Sequence, residues 1–77
     1  MPKEIIIRDS GGDGEWWEIT IPAYNKKFVD DLKREVPPSC RRWDPQMLAW
    51  VVIDAWMPRV EELLVVCFPE AEVSWYE

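Results

Sequence analysis

Ile5, Ile6 and Ile7 form a short apolar run, and after a polar gap Trp17, Ile19 and Ile21 alternate with Glu18 and Thr20. Short apolar runs and period-two alternation are strand patterns, and Ser10-Gly11-Gly12-Asp13-Gly14 between them is turn chemistry. Residues 3–23 therefore predict a hairpin that ends at Pro22, with Trp16 and Trp17 on opposite faces. The period then changes. Phe28, Val29, Leu32 and Val36 recur at helical spacing, with most of the lysines and aspartates on the other side. Asn25 has the side chain of an N-cap, and Tyr24 before it is placed to staple onto Val29. Pro37 and Pro38 stop the helix, because a residue before proline is pushed out of the α region.

A second hairpin follows. "RRW" (41–43) reads as a strand, Asp44-Pro45 as the start of a type I turn, and "LAWVVID" (48–54) as the returning strand. Leu48, Trp50 and Val52 make one face and Ala49, Val51 and Ile53 the other. A strand apolar on both faces predicts a central place in the sheet. A second helix is predicted over Ala55–Phe68, with Asp54 as its cap and Pro58 tolerated in the first turn. Trp56, Val60, Leu63, Leu64 and Cys67 form its stripe, which Val65, Val66 and Phe68 widen. After Pro69, Ala71, Val73 and Trp75 alternate with Glu70, Glu72 and Ser74 as a last strand. The order ββαββαβ predicts one α+β domain over residues 1–77: a mainly antiparallel sheet of about five strands with two helices on one face. Trp17, Ile19, Phe28, Leu32, Trp50, Val52, Leu63 and Leu64 are its expected core.

At 77 residues the chain is close to the lower size for a single unstapled core, and its six tryptophans matter because each buries roughly 150–250 Å². No apolar run reaches the ~18 residues of a membrane span, and Met-Pro-Lys-Glu does not start a signal peptide, which predicts a soluble, cytoplasmic protein. Cys40 and Cys67 fit neither a disulfide framework nor a zinc site: Cys67 falls on the helical stripe and Cys40 in a loop beside arginines. There is no histidine, so the commonest general base and metal ligand is missing. Asp30 with Asp31, and Glu61 with Glu62, are adjacent, so on helices each pair splays about 100° apart and reads as solvated surface. Gly11, Gly12 and Gly14 sit in a hairpin tip rather than between a strand and a helix. The chemistry predicts no enzyme, no cofactor and no small-molecule substrate.

Charge changes the picture. Residues 26–42 carry Lys26, Lys27, Lys33, Arg34, Arg41 and Arg42 against Asp30, Asp31 and Glu35, a local +3 in a chain of −6. The remainder holds −9. Within the basic stretch and just after it, "YNKKFVDDLKREV", "PP", "RRWDP", "AWVV" and "VEELLVV" resemble the HARP domain, the accessory DNA-binding module of annealing helicases. The resemblance spans residues 24–68. It implies a compact module that recognises single-stranded or branched DNA, with Arg41, Arg42, Trp43 and Trp50 at the matching motif positions. It implies no ATP-driven activity, because no motor is present.

Two function classes follow, with a structural piece as a third. As a nucleic-acid module, Lys26, Lys27, Arg41 and Arg42 neutralise phosphates while Trp43 or Trp16 offers a stacking plate, which predicts a log–log salt slope of about −3. As a protein-interaction module, an inhibitor, adaptor or DNA mimic, the acidic half engages a basic protein surface, and surplus tryptophan supplies the contact. The structural reading rests on the last strand pairing with a copy of itself. The bland alternatives are that Trp50 is core, that Lys26, Lys27 and Lys33 are the solvated face of a helix, and that Trp43 is hairpin packing.

Overall fold

Five strands and two helices make up the computed structural model, which describes residues 3–76. The elements are β1 (Glu4–Asp9), β2 (Trp16–Thr20), α1 (Lys26–Glu35), β3 (Arg41–Asp44), β4 (Ala49–Ile53), α2 (Met57–Cys67) and β5 (Glu72–Tyr76). The predicted α+β order ββαββαβ holds. The sheet runs β3-β4-β2-β1-β5, antiparallel at every pairing except the parallel pair β1 with β5. The doubly apolar strand β4 is interior, as its pattern requires, although β2 is the central strand. Among the described residues no helix is long and apolar enough to cross a membrane.

Register places alternate residues on two unlike faces. Toward the helices, one row reads Trp43, Trp50, Ile19, Ile7 and Trp75 across the five strands. Phe28 and Leu32 of α1 and Val60, Leu63 and Leu64 of α2 close over this face, and Ile5, Ile7, Ile19 and Val52 lie beneath them, all buried. Among the described residues the opposite face carries no helix, yet Val51 and Ala49 are buried there as well. Val51 stands between Arg42 and Glu18 in the register, and the Arg42 guanidinium lies 5.7 Å over the Trp16 ring. Long side chains can cover apolar surface with their stems in this way.

Local chemistry explains the turns. Asp9 accepts from the backbone N–H groups of Gly11, Gly12 and Gly14, so its carboxylate organises the first hairpin tip. Gly12 and Gly14 take φ of 77° and 75°, where a Cβ would be strained. Asn25 caps α1 by accepting the Phe28 N–H at 3.0 Å. Tyr24, expected to staple onto Val29, is instead 76% exposed.

Four further expectations change. Leu48 leaves the strand: Asp44 accepts from the N–H groups of Gln46 and Met47, and the loop of residues 45–48 closes with Leu48 at φ 52°. Asp54 does not cap α2; its carboxylate accepts the Trp17 indole N–H at 2.9 Å from a short 3-10 turn, Asp54–Trp56. Val65 and Val66 are exposed, because Met57, Val60, Leu63 and Leu64 already occupy the buried side of α2 and the next two positions turn outward. Val73 and Trp75 are half-exposed, because β5 is an edge strand.

Asp31 also departs from its expected solvated place. It is buried, and it accepts from Lys27 at 2.7 Å and from Arg34. The Lys27 hydrogen bond is the main reason its carboxyl sits below the usual carboxylate range, with Arg34 adding to it against a cost of desolvation. A depressed folded-state pKa gives stability that is complete above the unfolded value and lost as pH falls through the folded one. Wild type should therefore lose melting temperature below about pH 4 more steeply than Asp31→Asn. Parallel melting curves for the two proteins down the acid range would remove Asp31 from the acid response.

Candidate binding groove

The sequence-predicted grip is dispersed by the fold. Lys26 is held by Asp30 at 2.6 Å and Lys27 by Asp31, each one helical turn apart. Both lysine pKa values are raised, first by those hydrogen bonds and then by the carboxylate charge. Arg41 turns toward α1: its Nε donates to Val36 O at 3.0 Å and its Nη2 to Lys33 O at 3.4 Å, capping carbonyls at the helix end. Arg42 points to the opposite face of the sheet, over Trp16. Trp43 remains on the helix side, 45% exposed, with its ring 5.4 Å from that of Trp50 in an edge-on contact. Of the five candidates, Trp43 is the one that lines the concave surface beside α1.

That surface is a groove of about 510 Å³ lined by Ile21, Ala23, Tyr24, Val29, Lys33, Trp43, Leu48 and Trp50. Three pieces of chain build it. The β2–α1 connection supplies Ile21, Ala23 and Tyr24. Helix α1 supplies Val29 and Lys33, which share a side because they are four residues apart. The second hairpin supplies Trp43 and Trp50 as a cross-strand pair, and its positive-φ turn swings Leu48 out to the rim. Tyr24 and Leu48 are the most exposed lining residues described as large hydrophobics, at 76% and 67%.

Lys33 is the groove's one charged lining residue. Its Nζ lies 5.9 Å from the Trp50 ring centroid, a cation–π contact, and among the described residues it has no carboxylate partner. The chemistry on offer is a broad apolar and aromatic seat with one cation at its side. It can hold a large apolar side chain and pair with a neighbouring anion. Sequence reasoning counted Lys33 in the basic stretch but passed over its pairing with Val29, and it placed Leu48 in the returning strand.

Outside the groove, burial raises the Cys67 thiol pKa, partly opposed by Lys27, and the Cys67 carbonyl accepts from Asn25 Nδ2 at 3.2 Å. Among the described residues no cluster of three or more His, Cys, Asp or Glu side chains is arranged to hold a metal ion. No protein-family model, curated protein or solved structure matches the chain.

Proposed function

We propose that the chain is a small non-catalytic binding module that seats an apolar segment of a partner protein in the Trp43–Trp50 groove. One observation carries this reading: a concave, largely apolar surface that leaves Trp43, Tyr24 and Leu48 uncovered on a small domain. Exposed aromatic surface around a pocket is the usual anchor of a protein hot spot. Lys33, which with Val29 brings the +3 stretch to one wall of the groove, favours a segment whose apolar anchor is flanked by Asp or Glu.

A second reading keeps the DNA expectation and the resemblance to the HARP domain. Trp43 at the rim and Lys33 beside it fit one unstacked base with its phosphate. Lys26, Lys27 and Arg41 already have partners, so a single cation in the groove predicts a log–log salt slope of about −0.7 rather than about −3.

Selection from a displayed peptide library, run beside titration with single-stranded oligonucleotides, separates the two. Wild type is expected to enrich peptides with Leu, Trp or Phe next to Asp or Glu, and Trp43→Ala is expected to enrich none. Lys33→Glu should shift the preference from acidic to basic flanks. No enrichment by wild type, together with oligonucleotide binding whose slope is about −0.7, would replace the protein reading with the DNA one.

A further inference from the structure

The sheet has two open edges, and they are unlike. Edge strand β3 is four residues long and carries Arg41, Arg42 and Asp44, charges that discourage another strand from pairing. Edge strand β5 has neither lysine nor proline, and Val73, Trp75 and Tyr76 are 41%, 43% and 50% exposed. Backbone direction adds a constraint. The Glu72 N–H donates to Lys3 O at 2.9 Å, toward β1. Alternation along the strand then turns the N–H and C=O groups of Val73 and Trp75 outward, where no strand among the described residues pairs with them.

We propose that β5 pairs antiparallel with β5 of a second copy of this chain, about a twofold axis at Ser74, joining two sheets into one. In that register Val73 faces Trp75 of the second copy, and the two exchange N–H···O bonds through their outward groups; the axis repeats the pair. Both side chains lie on the helix side of their sheets, where each covers the other. On the open face Glu72 faces Tyr76 of the second copy. The Tyr76 ring lies 5.7 Å under the Arg8 guanidinium of its own chain.

Charge selects this register. Arg8 has no carboxylate partner among the described residues, and Glu4 and Glu72 are like-charged neighbours across β1 and β5. The Glu72 of one copy and the Arg8 of the other are two strand spacings apart, about 10 Å, within the joint reach of the two side chains. Pairing gives Arg8 a carboxylate and sets a cation beside the Glu4–Glu72 contact. The groove lies at the β3 edge, so this contact leaves it open, and neither proposal depends on the other.

Sedimentation equilibrium from micromolar to millimolar protein tests the idea. Wild type is expected to pass from the monomer mass to twice that mass within this range, since a five-residue seam is short. Val73→Lys should remain monomeric throughout. Arg8→Glu and Glu72→Arg should each weaken the dimer by about tenfold, because the axis doubles the lost pair. The two together should restore it. Three outcomes overturn the proposal: a wild type that stays monomeric, a dimer indifferent to Val73→Lys, or a double charge reversal as weak as the single ones. Arg8 and Glu72 are exposed, so the charge-reversal arm stands even where Val73→Lys disturbs folding.

Discussion

Trp50→Ala is expected to unfold the protein at room temperature. Trp50 is 7% exposed, and it lies in the register between Trp43 and Ile19, on the face that α1 and α2 cover. Replacing a buried tryptophan by alanine costs about 3–5 kcal/mol, through lost burial and the cavity left behind. Small domains hold only about 5–15 kcal/mol in total, and a chain of this length belongs near the bottom of that span. Trp43→Ala makes the same chemical change one strand away, at a side chain 45% exposed. It should move the melting temperature by only a few degrees while removing binding in the groove. Far-ultraviolet circular dichroism melts of the two variants read the contrast directly. A cooperative wild-type-like melt for Trp50→Ala would place that ring outside the core.

Trp17→Ala carries the second large effect, expected at about 3 kcal/mol. Its ring meets Trp75 edge-on at 5.1 Å and 78°, and its indole N–H donates to Asp54, tying β2 to the turn that leads into α2. The two contributions separate. Trp17→Phe keeps an aromatic ring and removes the donor, at about 1 kcal/mol. Asp54→Ala removes the acceptor at a similar cost. Because one hydrogen bond is lost in both, the double variant should be less destabilised than the sum of the single ones. Strict additivity in urea melts would mean that the bond contributes nothing.

Most elements were legible because their periods are strong. The alternation at Trp17, Ile19 and Ile21, the helical spacing at Phe28, Leu32 and Val36, and the Pro37-Pro38 stop each point to one kind of local structure. Strand partners were not legible, since a period-two pattern says which side is buried and not who lies alongside. That is why the parallel pairing of β1 with β5, and the half-exposure of Val73 that follows from it, come only from the structure. Leu48 was misplaced for a different reason: its apolar side chain continues the strand pattern, but Asp44 draws the N–H groups of Gln46 and Met47 into the loop.

The candidate site shows signals that were present and unused. Lys26 with Asp30 and Lys27 with Asp31 are spaced to pair along a helix, so their neutralisation was readable from position alone. Arg41 and Arg42 are successive strand residues and had to face opposite ways. The groove itself was not readable. It joins Ile21, Val29, Trp43 and Leu48 from three separate stretches, and only the packing of α1 beside the second hairpin brings them together.

The parallel pairing of the first and last strands also sets an order of assembly. β1 meets β2 across a short hairpin, and β3 meets β4 likewise, whereas Glu4 must wait for Glu72. Closing so long a loop adds entropy that local pairings avoid, and such contacts tend to form late. On a ribosome releasing the chain from its N-terminus, β1 stays an open edge until residues 72–76 emerge. During that interval the outward backbone groups of Ile5 and Ile7 are free to accept any extended segment that reaches them first. The interval between the emergence of β1 and that of β5 is therefore when this chain is most prone to pair wrongly, and when slowing translation would do it the most harm.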